Sequence, residues 1–88
     1  MRVTKKVKIK NDLGLHARPD TMIVKLLQSK KCMVMFTYGK ETINARSIMS
    51  VLMLAARRNT LITITAEGDD AEQTVLMLEE AFANKFGE

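Results

Sequence analysis

The apolar residues of this chain switch repeatedly between a two-residue and a three-to-four-residue spacing, and that alternation restricts the fold more than any other feature. A strand with one buried face hides every second side chain, whereas a helix hides positions three and four apart. Val3, Val7 and Ile9 share one parity with Lys5 between them, so Val3 to Ile9 reads as a first strand. The turn residues Asn11-Asp12-Leu13-Gly14 follow. Behind Pro19, Met22, Ile23, Leu26 and Leu27 recur at helical spacing, giving a helix from about Ala17 to Ser29.

The segment Cys32 to Thr37 is apolar on both parities, Tyr38-Gly39-Lys40 is a turn signal and Glu41 to Asn44 is β-compatible, which together predict a hairpin. Ser47 is a good N-cap for a short amphipathic helix carrying Ile48, Met49, Val51, Leu52 and Ala55. That helix is expected to end near Arg57-Arg58-Asn59, where Asn59 tolerates a left-handed backbone. Leu61 to Ala66 is a β-branched fourth strand, closed by Gly68-Asp69-Asp70. Ala71, Val75, Leu78, Phe82 and Phe86 then mark one stripe of a final helix. The order βαββαβα predicts one α+β domain over residues 1–88, with helices covering one face of a mostly antiparallel sheet.

A chain of 88 residues hides only about 60% of its surface on folding, so a functional site must lie on the outside of a single core. No apolar run approaches the roughly 18 residues of a membrane helix, and the basic start from Met1 to Lys10 lacks the apolar stretch of a signal peptide. A soluble, cytoplasmic protein without membrane insertion is expected. Cys32 is the only cysteine, so neither a disulfide nor a cysteine-based metal site supports the fold. Residues 1–58 carry 13 Lys/Arg against 3 Asp/Glu, and residues 59–88 carry 1 against 7. Such a basic segment attracts nucleic acid, a polar membrane surface or an acidic protein surface. Phe36 and Tyr38 are too few for a base-stacking platform, which argues against nucleic acid and leaves a small basic RNA-binding module as the weakest reading.

The only histidine lies in Gly14-Leu15-His16-Ala17-Arg18-Pro19, between a turn and a helix start. With Pro19 inside the first helical turn, His16 falls at or beside the N-cap, next to unpaired backbone amides such as that of Ala17. Amides and helix dipole disfavour an imidazolium and attract anions, which suits a neutral nucleophilic ring beside a phosphate cradle. Arg18 adds a fork of donors for phosphoryl oxygens. Taken alone, the local chemistry better fits an exposed loop histidine beside a solvated arginine.

The run Gly14 to Pro19 resembles the active-site signature of the HPr family, the histidine-containing phosphocarriers of the bacterial phosphoenolpyruvate-dependent phosphotransferase system. Chain length, element order, Arg46-Ser47-Ile48-Met49 and Ile64-Thr65-Ala66-Glu67-Gly68 extend the resemblance over essentially the whole chain. It implies an open-faced β-sandwich: a four-stranded, mostly antiparallel sheet with three helices on one face. It further implies that His16 accepts a phosphoryl group from enzyme I and passes it to an enzyme IIA histidine for sugar uptake, with Arg18 and the Ala17 amide stabilising the group. The protein would be a stoichiometric carrier and not an enzyme, without a cofactor, and a monomer meeting its partners transiently.

By the same resemblance Ser47 is the serine phosphorylated by HPr kinase/phosphorylase, and Ile48, Met49 and Leu52 are candidate partner contacts. A mainly regulatory module controlled through Ser47 is the alternative. Three positions depart from the family pattern. Asp20 replaces a small apolar residue, and either repels a phosphorylated His16 or complements the helix dipole. Ser50 and Asn59 stand where glycines are common. The methionines, among them Met22, Met33, Met35, Met49, Met53 and Met77, read as adaptable packing, and Cys32 as a small buried hydrophobe in a strand. Asp69, Asp70 and Glu72 lack the further ligands of a calcium loop, and no metal is expected.

Overall fold

The computed structural model describes residues 1–88. Four strands, β1 (Arg2–Lys8), β2 (Met33–Tyr38), β3 (Glu41–Asn44) and β4 (Leu61–Glu67), form one antiparallel sheet in the order β1-β4-β2-β3. The helices are α1 (Ala17–Leu27), α2 (Ile48–Leu54) and α3 (Ala71–Ala83), followed by a short 3-10 turn at Lys85–Gly87. Register explains the core. Val3, Ala66 and Val34 lie side by side across three strands, and Lys5, Ile64, Phe36 and Ile43 form the next row of the same face. Ile64, Phe36, Ala66 and Val34 are wholly buried there.

The helices close that face. α3 packs on β1 and β4, and its Phe82 meets Phe36 edge to face at 5.9 Å between ring centroids. Ile23 and Leu27 of α1, Val51 and Leu54 of α2, and Val75 and Leu78 of α3 are the buried stripes that the helical spacing implies. Lys5, which shares the buried parity, lies on the edge strand and runs its stem outwards to Glu79, 3.9 Å away.

Several element boundaries differ from the sequence expectation. β1 runs from Arg2 to Lys8, leaving Ile9 buried just beyond it. α1 ends at Leu27, two residues short of Ser29, because the guanidinium of Arg46 takes the carbonyl oxygens of Leu27 (2.7 Å), Lys30 (2.7 Å) and Cys32 (2.8 Å) and turns the chain there. α2 stops at Leu54, well before Asn59. Ala55 takes the left-handed backbone, φ 49°, and the Ala56 carbonyl is turned to accept the Leu15 N–H at 3.0 Å. Asn59 does have a positive φ, 67°, but in the turn leading into β4.

α3 ends at Ala83, and Phe86 reaches the core from the 3-10 turn instead of from the helix, stacked edge to face on Phe82 at 4.8 Å. Cys32 is buried but precedes β2, its thiol donating to Thr74 Oγ1. The methionine expectation holds only in part, since Met22, Met33, Met49 and Met53 are exposed. Asp70 caps no amide of α3 with its side chain but accepts the Lys31 and Cys32 N–H groups at 2.8 and 3.0 Å. These bonds hold its carboxyl below the usual carboxylate range.

Candidate functional site

The loop before α1 is fixed by backbone geometry. Gly14 has φ 69°, and a Cβ there would collide with the Ala56 carbonyl oxygen, so only glycine fits. Leu15 buries its side chain and donates its N–H to the same carbonyl, which anchors the loop on the turn after α2. His16 is then the N-cap of α1, in extended conformation, and its C=O accepts the Asp20 N–H at 3.1 Å. Its ring makes no capping bond. The Ala17 and Arg18 amides have no acceptor in the chain, and Pro19, buried, has no N–H to satisfy. Two donors at the positive end of a helix dipole therefore stand free beside His16.

His16 is one-third exposed by its side chain, and its Nε2 lies 3.0 and 3.2 Å from the two carboxylate oxygens of Glu88. A carboxylate only accepts, so Nε2 is the donor in this contact, and in the neutral ring the Nδ1 lone pair is then free as a nucleophile. Glu88 is itself held by Asn11, whose side-chain amide donates to Oε1 of Glu88 and to the Lys85 carbonyl at 2.8 Å. The Asn11 bond first, and then the His16 contact, keep the Glu88 carboxyl below its usual range. Asp12, Leu13, His16, Lys85 and Glu88 line an open depression around the ring. The largest depression, lined by Lys31, Glu67 and Asp69 among others, shares no residue with it.

Arg18 is exposed and forms no ion pair, so its guanidinium is free to swing towards an anion. Asp20 sits one turn beyond His16 and is neither exposed nor paired. Its side chain is fully buried and neither carboxylate oxygen has a hydrogen-bond partner. Burial pushes its carboxyl up to about 6, against the opposing pull of His16.

Ser47 caps α2, its Oγ accepting the Ser50 N–H at 3.3 Å. Met49 is exposed, and Ile48 and Leu52 are half-buried. α1 and α2 pack together. Asn11, Glu88 and the burial of Asp20 escaped the sequence reading. Asn11 looked like a turn residue, Glu88 meets His16 across 72 positions, and a charged side chain on a helix ordinarily signals solvent.

Comparison with known proteins extends the picture. A family profile described as the PTS HPr component phosphorylation site matches residues 3–84. The phosphocarrier protein HPr of Chlamydia pneumoniae is 42% identical over 80 residues, covering 91% of this chain and 74% of that protein. The multiphosphoryl transfer protein of Haemophilus influenzae is 37% identical over 83 residues, covering 91% of this chain and 17% of its own length. Among solved structures, HPr from Thermoanaerobacter tengcongensis superposes with a TM-score of 0.93 at 31% identity, covering 98% of this chain and 97% of that one.

Proposed function

This chain belongs to the HPr family of phosphotransferase-system phosphocarriers, and on that premise we propose that His16 is the residue that carries the phosphoryl group. The observation that carries the reading is the placement of the ring: at the N-cap of α1, beside free Ala17 and Arg18 amides, with Nε2 engaged by Glu88. The Nδ1 lone pair attacks the phosphorus of an incoming phosphohistidine, the donor N–P bond breaks, and its electron pair stays on the donor nitrogen. The proton on Nε2 remains in place, and Glu88 stabilises the positive charge that the ring acquires as the new bond forms. The two amides and the exposed Arg18 guanidinium receive the phosphoryl oxygens. Transfer to the next carrier is the reverse.

Enzyme I, charged by phosphoenolpyruvate, is the donor in this scheme and an enzyme IIA histidine the acceptor, with the protein acting in the cytoplasm as a monomeric, stoichiometric carrier and not an enzyme. Incubation with enzyme I and phosphoenolpyruvate should give an acid-labile, base-stable phosphoramidate that is absent from His16→Ala. Acceptance by the wild type no better than by that variant would overturn the assignment.

A regulatory site at Ser47 accompanies this reading. The serine oxygen already faces the first turn of α2, where a phosphate is electrostatically tolerated, and exposed Met49 lies two residues on. A charge of about −2 there would oppose the burial of Ile48, Met49 and Leu52 against a partner without unfolding α2. HPr kinase/phosphorylase is the enzyme class for that modification. Mass spectrometry after incubation with this kinase and ATP should find Ser47 modified and Ser47→Ala unmodified.

A further inference from the structure

Asp20 is a fully buried carboxyl group for which neither the fold nor the transfer chemistry has so far supplied a use. Both its oxygens lack partners, and its own N–H bonds the His16 carbonyl, so the two residues stand one helical turn apart. A bare buried carboxylate is costly, and such a site persists as a neutral acid or by responding to a nearby charge. The nearby charge is that of His16, which favours ionisation of Asp20, while burial resists it more strongly.

The elements packed against α1 add little. α2 carries no titratable side chain; α3 carries Glu72, Glu79 and Glu80, of which Glu79 is engaged by Lys5; and the 3-10 turn contributes Lys85 and, at its end, Glu88, whose carboxylate is engaged by His16. None of these bears on the Asp20 charge as His16 does.

We propose that Asp20 couples phosphoryl transfer to proton uptake: its carboxyl group takes a proton from solvent when His16 is loaded and returns it when His16 is unloaded. The inference rests on His16 being the phosphoryl acceptor. On loading, the Nδ1 lone pair forms the new N–P bond, the donor bond breaks towards the donor nitrogen and the Nε2 proton stays. His16 thereby passes from neutral or cationic to net negative. A carboxylate one turn away becomes less favourable, and by linkage the loaded protein binds the Asp20 proton more tightly.

Two unit charges about 6 Å apart in an effective dielectric of roughly 20 to 80 imply a rise in the Asp20 midpoint of about 0.5 to 2 pH units. Loading is thus favoured on the acid side of that window and disfavoured above it. Asp20 is a positioning residue in this scheme, since it acts only through His16.

The test follows the Asp20 carboxyl carbon by NMR against pH in the full chain, before and after chemical phosphorylation with potassium phosphoramidate. Here the donor nitrogen leaves as ammonia. The Asp20 midpoint is expected to lie above the ordinary carboxylate range, to rise in His16→Asn, where the ring charge is absent, and to rise again in the phosphoprotein. A midpoint identical in wild type and His16→Asn overturns the coupling whatever the phosphorylation result. If coupling is present but enzyme I and phosphoenolpyruvate leave His16 unmodified, the acceptor reading fails and the proton-uptake proposal with it. If His16 is modified and the midpoint stays put, the proposal alone fails. In Asp20→Asn, the acceptance equilibrium against enzyme I and phosphoenolpyruvate should lose part of its fall with rising pH, and an unchanged profile counts against the proposal.

Discussion

The carboxylate of Glu88 and the imidazole of His16 meet at 3.0 Å although 72 residues separate them. The contact is partly exposed and involves Nε2, the nitrogen that does not take the phosphoryl group in the proposed transfer. Replacing Glu88 with Gln keeps the shape and removes the charge. Losing this partly solvated charge contact predicts a fall of roughly 3- to 10-fold in the rate of His16 phosphorylation. Rapid-quench measurement with the phosphorylated donor checks this, and an unchanged rate would mean that the carboxylate neither orients nor stabilises the ring.

Asp20 makes stability depend on pH in the direction opposite to an ion-paired acid. Its folded midpoint, about 6, lies above the ordinary 3.8, so the folded state holds the proton more tightly. The protein therefore loses stability as pH rises from 3.8 towards 6 and then levels off. Replacing Asp20 with Ala removes the penalty, so the variant should be more stable by about 3 kcal/mol at neutral pH and by only about 1 kcal/mol near pH 4.5. Urea denaturation at both pH values measures the difference. An equal gain at the two would point to packing instead of charge.

Arg46 is a structural clamp. Its three bonds satisfy carbonyls at the end of α1 and before β2 that no other cation reaches. Arg46→Ala should cost about 2 to 4 kcal/mol, and Arg46→Lys about half of that, because an ammonium cannot span all three oxygens. Denaturant midpoints of the two variants decide whether the fork or merely the charge matters.

Ser47 separates capping from docking. Ser47→Ala should lose about 1 kcal/mol with its bond to the Ser50 amide, whereas Ser47→Asp keeps a competent cap and near-native stability. Binding to enzyme I, followed by calorimetry, should behave the other way: little affected in Ser47→Ala and weakened in Ser47→Asp.

How far these features can be read from the residues themselves follows a physical division. Local patterns reveal what neighbours decide. Pro19 and the turn before it mark the start of α1, Tyr38-Gly39-Lys40 marks the hairpin, and Ile62 and Ile64 mark the buried side of β4. The end of α2 was hidden because Leu54-Ala55-Ala56 contains no breaker and the stop is imposed by the distant Leu15 amide. Phe86 keeps the helical interval while leaving the helix, since burial against Phe82 is satisfied either way. At the site, His16 was legible from its motif. Its carboxylate neighbour and the burial of Asp20 were not, because both depend on how separate elements come to rest on one another.

The bond from the Leu15 amide to the Ala56 carbonyl has a kinetic side. It stitches the residue before His16 to the segment that ends α2, so neither can fray without releasing the other. Their amides should belong to a single opening unit in hydrogen exchange, with Leu15 and Ala55 protected to a similar degree, while the free amides of Ala17 and Arg18 exchange quickly. Occupation of those two amides by phosphoryl oxygens would then be visible as a slowing confined to the helix start, a timing signature that separates loaded from unloaded molecules.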